Sequence, residues 1–277
     1  MLAERVEAHG PKYRAAMSDA QLDTIGVARE GGVVTVTLDR PHRKNAIDAT
    51  MWDELLVTFR EIAQSDEDRV LVVTGAGGEF CSGADLSPSG EDDRHHLARM
   101  RYLNQVCLAL HHLPQPTIAK VRGIAAGAGL NLALGCDLVV AADGARFSEI
   151  FARRGLSIDF GGSWVLPRRI GLHKAKELAL LADIIDAPIA AAMGLVNQVV
   201  PEIELDATVD EWATRLAAGP PIALALTKSM LDNAFAVTLE QALEDEARAQ
   251  SINFGTEDTF EAISAFLTKR DPTFKGR

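Results

Sequence analysis

The chain has 277 residues, of which 47% are hydrophobic and 24% are charged, as in an ordinary globular protein. Its formal net charge of −11 disfavours a nucleic-acid or anionic-membrane surface, because such surfaces need a basic stripe. The first 20 residues mix charges and lack the apolar segment of a secretory signal, and no apolar run approaches the roughly 18 residues of a membrane span. We therefore expect a cytoplasmic protein.

The cysteines and histidines give no sign of a metal site. Cys81, Cys107 and Cys136 lie in apolar or glycine-rich surroundings without metal-ligand spacing, which is typical of buried, reduced thiols. The histidines at 95–96 and 111–112 are adjacent pairs, so the two side chains of each pair do not share a helix face. We expect no bound metal.

The first third of the chain predicts a hairpin and a helix after a polar extension over residues 1–20. Residues 25–29 and 33–38, separated by the glycines of 30–32, have the pattern of two paired strands. A helix follows with Asp48 as its N-cap. Its buried face is predicted from helical spacing to contain Met51, Leu55, Phe59 and Ile62.

The middle of the chain alternates predicted strands with predicted helices. Strands are expected over 70–74, 117–121 and 137–142, and helices over 97–110 and 130–134. Segment 86–93, rich in Ser, Pro, Gly and acidic residues, predicts a surface loop. The alternation favours repeated ββα-like units over a helical bundle.

Beyond Gly171 the strand signals nearly vanish and helical periodicity dominates. Helices are predicted near 171–182, 206–218, 221–233, 238–252 and 257–269. We therefore predict an α/β protein with an N-terminal extension (1–20), a spiral core (21–200) and a helical C-terminal region (201–277).

Two glycine-punctuated segments, 80–86 and 123–131, each follow a predicted strand. Glycine lets the backbone approach a ligand closely, and free N–H groups at a helix start favour negative charge. Two such donors aimed at one carbonyl oxygen would form an oxyanion hole, where losing one donor costs about 3–4 kcal/mol of transition-state stabilisation. A dinucleotide fingerprint is disfavoured, because Leu132 replaces its third glycine and Asp137 comes too early.

Five motifs in chain order resemble those of the crotonase superfamily, the enoyl-CoA hydratases and isomerases. They are LDRP (38–41) with NA (45–46), SGAD (82–85), the stretch 122–138 ending in CDL, GGSW with LPR (161–168), and AFLTKR (265–270). The resemblance runs from about Asp23 to the C-terminus. It implies a crotonase-like spiral of ββα units with a helical C-terminal oligomerisation region, in a homotrimer or a dimer of trimers. It also implies that the backbone N–H groups of Ala84 and Ala128 polarise an acyl-CoA thioester.

By the same resemblance, Asn131 and Phe151 occupy the positions of the two glutamates with which hydratases activate water. Asparagine can hold a water but cannot accept a proton at neutral pH, and phenylalanine does no acid–base work. An ordinary two-glutamate hydration is therefore not expected. Glu149 is a further candidate acid, the alternative being a solvated or salt-bridged carboxylate near Arg153 or Arg154.

Asp159 precedes the glycines that open a helix, and it matches the catalytic aspartate of dienoyl-CoA isomerases, naphthoate synthases and the phenylacetate-pathway isomerase. Residues 159–168 most resemble the last of these. A lone carboxylate can remove a proton beside the thioester and return it elsewhere, which is isomerisation. Phe151, Phe160 and Trp164 would raise its pKa by forming an apolar pocket. The alternative for Asp159 is an N-cap of the following helix.

The resemblance implies coenzyme A as part of the substrate and no permanently bound cofactor. The matching positions for contact with coenzyme A are Arg43, Lys44, Ser82, Ala84, Leu86, Phe266 and Lys269. Phe266 and Lys269 match residues that reach a neighbouring subunit's nucleotide, and lysine suits phosphate as a point charge. The alternatives are solvated charges at the basic positions and a core position for Phe266.

Three hypotheses on function follow from these residues. The first is double-bond isomerisation of an enoyl-CoA, with Asp159 as acid and base. The second is enoyl-CoA hydration by a non-standard route, in which Asn131 and Asp159 position the water. The third is a protein that binds CoA esters without chemistry.

Overall fold

A computed structural model of the chain describes residues 22–87 and 95–277. The described strands are β1 (Ile25–Glu30), β2 (Val33–Leu38), β3 (Val70–Gly75), β4 (Thr117–Val121), β5 (Ile124–Ala126), β6 (Leu138–Ala142), β7 (Arg146–Ser148), β8 (Ile185–Asp186) and β9 (Gln198–Val200). The described α-helices are α1 (Ala49–Ala63), α2 (His96–His111), α3 (Ala128–Gly135), α4 (Gly162–Leu181), α5 (Ala187–Ala192), α6 (Leu205–Ala217), α7 (Pro221–Asn233), α8 (Leu239–Asn253) and α9 (Glu257–Thr268).

Two sheets form the spiral core. The larger has the order β1-β2-β3-β4-β6-β9, and the smaller has the order β5-β7-β8. The β1–β2 hairpin is antiparallel, whereas β2, β3, β4, β6 and β9 pair in parallel. Parallel strands covered on both faces are apolar throughout rather than alternating, which explains the fully buried run Val70–Val73 in β3.

Helices cover both faces of the larger sheet. On one face α1 buries Met51, Leu55, Phe59 and Ile62, as its spacing predicts. The Asp48 side chain accepts a hydrogen bond of 2.9 Å from the Met51 N–H, which confirms the predicted N-cap. On the other face α6 buries Leu205 and Val209 against β3, β4 and β6.

The helices predicted after Gly171 are confirmed, with one difference. The first of them begins earlier, at Gly162, and a kink at Gly171 (φ 74°, ψ 160°) divides it. The strands β8 and β9 and the helix α5 also lie beyond Gly171; the strand segments are too short for periodicity to show them. Among helices in the described part of the chain, none combines the length and apolar composition needed to cross a membrane.

Two predictions concern residues that the structure does not describe. The N-terminal extension over 1–20 lies outside the described residues. So does the surface loop predicted over 86–93, except for its first two residues.

We expect Gly129→Ala to destabilise the fold, because a Cβ at this position in α3 would lie 2.6 Å from Cys81 Sγ and against the Cys81 carbonyl oxygen. The expected loss is about 1–3 kcal/mol in the free energy of unfolding, measured by denaturant titration. Gly144→Ala is the matched control, since a Cβ there meets no described atom within 4 Å. Equal stability of the two variants would contradict this account of the α3 contact.

Candidate active site

The turn at 81–84 after β3 meets residues 124–128 through backbone hydrogen bonds. Residues 124–128 run from β5 to the start of α3. Cys81 donates to the Ile124 carbonyl oxygen and Ala126 donates to the Cys81 carbonyl oxygen, both at 2.9 Å. Gly83 has φ +106°, and a Cβ there would lie 2.9 Å from the Ala126 oxygen and 3.8 Å from the Ala128 nitrogen. The turn that carries Ala84 therefore lies directly against the start of α3, where only glycine leaves enough space.

The amides of Ala84 and Ala128 remain available at this junction. Neither N–H donates to another backbone group of residues 22–87 or 95–277. Ala128 is the first residue of α3, and Gly127 (φ 52°, ψ −128°) caps that helix without a side-chain hydrogen bond. Free N–H groups at a helix start carry partial positive charge, so this arrangement suits a developing anion.

Asn45, Arg40 and Asp85 hold the first turn in place. The buried Asn45 amide donates to the carbonyl oxygens of Ala76 (2.9 Å) and Glu79 (2.7 Å), and its oxygen accepts from Arg40 N–H (2.9 Å). The Arg40 guanidinium pairs with Asp85 at 3.1 Å. Hydrogen bonds from Ser87 and then from Arg40 lower the pKa of Asp85 to about 2. The motif residues at 40 and 45 thus position the turn that carries Ala84.

Asn131, Glu149 and Asp159 come together behind this junction. Asn131 lies one turn into α3 and is 1% exposed. Its Nδ2 donates to the Asp159 backbone oxygen at 2.9 Å and contacts Glu149 Oε2 at 3.4 Å. Glu149 directly follows β7, which buries it fully.

Each of these three side chains has one buried oxygen without a hydrogen-bond donor among the described residues: Asn131 Oδ1, Glu149 Oε1 and Asp159 Oδ1. A buried acceptor without a donor costs about 1–3 kcal/mol, so native proteins seldom keep one without a function. Three in one cluster indicate a place for a proton, a water or a reacting group.

Burial separates the pKa values of the two carboxyl groups. Desolvation raises the pKa of Asp159 to about 6. Desolvation also raises the pKa of Glu149 to about 8, with the Asn131 hydrogen bond acting against the rise and the charge of Asp159 adding to it. At neutral pH Asp159 is therefore mostly an anion and Glu149 mostly neutral, a pairing that suits one base and one acid.

Two alternatives from the sequence are wrong. Glu149 is neither solvated nor salt-bridged to Arg153 or Arg154, and Arg153 instead pairs with Asp183 at 2.7 Å. Asp159 is not the side-chain N-cap of α4, because Gly161 holds that position in the left-handed region at φ 79°.

The residues predicted to contact coenzyme A fall into separate groups. Ser82 lies against the loop of Arg43 and Lys44, since Ser82 N–H donates to the Lys44 carbonyl oxygen at 3.0 Å. Lys44 Nζ is paired with Glu79 at 2.9 Å. Ala84 and the exposed Leu86 continue the same segment.

The second group lies at the end of the chain. Phe266 is 83% exposed in α9, and Lys269 caps that helix in a left-handed conformation. The alternative that Phe266 is a core residue is therefore wrong for this chain.

A cavity of about 370 Å³ opens beside the polar cluster. Asn131, Phe160, Gly161 and Trp164 form part of its wall. Phe160 is buried and packs on Trp52, and Phe151 (7% exposed) lies beside Gly127. The apolar surroundings expected for Asp159 thus include Phe160.

Comparison with known proteins gives the family. The family described as Enoyl-CoA hydratase/isomerase matches residues 28–277. A 1,2-epoxyphenylacetyl-CoA isomerase of Escherichia coli is 39% identical, over 90% of this chain and 97% of its own. A 2,3-dehydroadipyl-CoA hydratase of the same organism is 36% identical, over 91% and 98%. The crystal structure of an enoyl-CoA hydratase from Bacillus anthracis superposes with a TM-score of 0.88 at 33% identity, covering 92% of this chain and 100% of that one.

The chain therefore belongs to the enoyl-CoA hydratase/isomerase family, the crotonase superfamily, and acts on acyl-CoA. The expected crotonase-like fold with a helical C-terminal region is confirmed. The relatives are named as isomerases and as hydratases, so the family alone does not fix the reaction.

Glu149→Gln should stabilise the protein at high pH. The unfolded carboxyl ionises near its ordinary pKa of 4.5, whereas the buried one keeps its proton until about pH 8. The unfolded state therefore loses its proton first as pH rises, and the wild type loses stability across that interval. We expect the variant to exceed the wild type by more than about 1 kcal/mol in the free energy of unfolding at pH 8, and by much less at pH 5.

Denaturant titration at both pH values measures this difference. The exposed Glu246→Gln is the control and should show no such pH dependence. A Glu149 variant that is equally stable or less stable than the wild type at pH 8 would mean that the carboxyl is charged in the folded protein.

Proposed function

We propose that the chain catalyses double-bond isomerisation of an enoyl-CoA, with Asp159 as acid and base. The observation that supports this most is a partly buried carboxylate, that of Asp159, whose pKa is raised to about 6. Asn131 holds its backbone, and two main-chain amides without backbone acceptors among the described residues lie nearby. The two positions where hydratases carry glutamates hold Asn131 and Phe151, which leaves one ionised carboxylate for the chemistry.

In the proposed reaction the thioester oxygen accepts hydrogen bonds from the Ala84 and Ala128 N–H groups. Asp159 takes the proton at C2 of a 3-enoyl group, and the electron pair of that C–H bond moves toward the thioester to form a dienolate. The two amides stabilise the resulting oxyanion. Asp159 then returns the proton to C4, which yields the 2-enoyl product and restores the carboxylate.

Asn131 and Glu149 support this role in different ways. The Asn131 Nδ2 hydrogen bond to the Asp159 backbone oxygen fixes the segment that carries the base. A neutral Glu149 adds no second negative charge beside Asp159, so the base can ionise near neutral pH. We propose Glu149 as a proton-holding neighbour of the base.

Hydration by a non-standard route is the second candidate. The unpartnered Asn131 Oδ1 offers an acceptor for a water proton, and Asp159 would supply the base that hydratases take from glutamate. The hydratase names among the relatives add support.

The substrate would bind as a coenzyme A ester, with no permanently bound cofactor. Arg43, Lys44 and Ser82 would line the nucleotide side, and Phe266 with Lys269 would approach a neighbouring subunit's ligand. Large exposed apolar side chains in the helical C-terminal region support assembly into a homotrimer or a dimer of trimers. The aromatic ones are Phe235, Phe254, Phe260 and Phe266, which are 74%, 66%, 66% and 83% exposed.

Asp159→Asn should abolish isomerisation, because the amide keeps the shape of the side chain but accepts no proton. We expect kcat to fall by about 10³-fold for a 3-enoyl-CoA ester, within the range for loss of a general base. The wild-type kcat/KM should rise with pH through about 6, the pKa of Asp159. The exposed Asp143→Asn is the matched control and should retain full activity.

Paired assays with 3-enoyl- and 2-enoyl-CoA esters separate the candidates. Formation of a 3-hydroxyacyl product that depends on Asp159 would favour hydration. Tight ester binding without any turnover would favour a binding protein and contradict the isomerase proposal.

Ala128→Pro should remove one oxyanion donor while preserving α3. Proline suits the first helical position, where its missing N–H has no partner within the helix. We expect kcat to fall by about 10²–10³-fold with the circular dichroism spectrum unchanged. Ala49→Pro, at the first position of α1, is the matched control for folding and should keep its activity. Normal turnover by the Ala128 variant would exclude this amide from the reaction.

A further inference from the structure

We propose that the acyl pocket is built for enoyl-CoA esters whose acyl group ends in an oxygen function, a hydroxyl or a carboxylate, rather than in a methyl group. The inference rests on the proposed function, and names the class of substrate that its site accepts. The 370 Å³ cavity supports it, because the side chains at its two ends differ in chemistry.

Three helices line this cavity, and one end of the cavity lies beside the polar cluster. Cys107 of α2, Asn131 of α3 and Gly161 before α4 all line it. The Asn131 amide binds the Asp159 backbone, and a Cβ on Gly161 would lie 3.0 Å from Cys107 Sγ. The charge of Asp159 acts on Cys107 in this wall, so this is the end of the cavity nearest the proposed base.

Farther along the same elements the lining becomes polar. His111 lies four residues after Cys107, and Arg169 lies eight residues after Gly161. A helical rise of 1.5 Å per residue places them about 6 Å and about 12 Å from the first end. Asp232 of α7 also lines the cavity and interacts electrostatically with both. Between the two ends the wall is apolar, with Leu108, Leu134 and Val165.

Arg169 has capacity left for a ligand. Its Nη2 donates to the carbonyl oxygens of Leu134 (2.8 Å) and Cys136 (2.6 Å), so the guanidinium is held in place. Its Nε is buried and has no acceptor within the described part of the chain. A cationic group with an unused donor is costly to bury, so an oxygen of the substrate that reaches the guanidinium would be stabilised there.

His111 and Asp232 add adaptable partners. Burial lowers the pKa of His111, with the charge of Asp232 acting against that change, and this favours the neutral imidazole, which can donate or accept. Burial raises the pKa of Asp232, and His111 opposes the rise. Asp137 and Lys228, the other charged groups facing them, are paired with each other at 2.9 Å.

A methyl terminus in this place would leave the polar groups unpaired. A site built to hydrogen-bond an oxygen rejects the analogue that lacks it far more strongly than an apolar pocket rejects one extra methylene. The distance of about 6–12 Å from the reacting end fits a six-carbon chain better than a four-carbon one.

The test uses saturated esters, which bind without reacting. Dissociation constants are measured by calorimetry for three six-carbon acyl-CoA esters that end in methyl, hydroxyl or carboxylate, with butanoyl-CoA as the short reference. We expect at least one oxygen-ended ester to bind 10-fold or more tightly than the methyl-ended one. Equal or tighter binding of the methyl-ended ester overturns the inference, whether or not the enoyl esters are turned over.

Two variants test which side chains produce the preference for oxygen-ended esters. Arg169→Met should reduce the preference for the oxygen-ended ester to about one, and a larger effect on the carboxylate than on the hydroxyl would identify an anionic terminus. Because Arg169 also holds the end of α3, His111→Phe provides a second test that leaves those bonds intact. Arg215→Met, on the exposed face of α6, is the control and should leave every constant unchanged. A preference that survives both cavity variants would refute the assignment.

Turnover of the matching enoyl esters then tests the proposed function separately. Absent turnover with an intact oxygen preference would overturn the reaction but not the pocket.

Discussion

The site depends on one backbone junction, in which Cys81 and the segment 124–126 exchange hydrogen bonds of 2.9 Å. This pairing is a short parallel bridge between the turn at 81–84 and β5, which are some forty residues apart in the chain. It sets the positions of both alanine amides relative to each other, because each lies within three residues of a bonded group. Gly83 and Gly129 are required here since a side chain on either would separate the turns.

Burial supplies the second half of the proposed chemistry. The cluster of Asn131, Glu149 and Asp159 keeps three oxygens out of water, and residues 22–87 and 95–277 give them no donors. The cost falls on the charged forms of the acids, so each holds its proton to a higher pH, and Glu149 to a higher pH than Asp159. Two carboxyl groups of nearly equal intrinsic acidity thereby become different reagents.

Long periodic elements could be predicted from the sequence, and tertiary partners could not. The face of α1 and its Asp48 cap follow from spacing and capping chemistry, which are local. The sequence left Glu149 open as a candidate acid or as a carboxylate beside Arg153 or Arg154. The end of β7 turns it inward, while Arg153 reaches Asp183. Strands of two or three residues such as β8 and β9 carry no periodicity.

The far end of the cavity is the clearest case of information that only the fold contains. His111, Arg169 and Asp232 belong to three different helices, and nothing in the local sequence of any one of them marks it as a neighbour of the others. The Asn45 network around the first turn is similar: the motif is visible in the sequence, but its positioning role appears only in its contacts with Ala76 and Glu79.

The proposed donors at positions 84 and 128 are main-chain groups, and this has an evolutionary consequence. Nearly any side-chain replacement leaves an N–H in place, so the capacity to hold an anionic oxygen is inherited with the backbone itself. Divergence then falls on the few side chains around it, which can change the reaction while the scaffold persists. Relatives of equal similarity can therefore catalyse different reactions, and overall identity is a poor guide to which one a given chain performs.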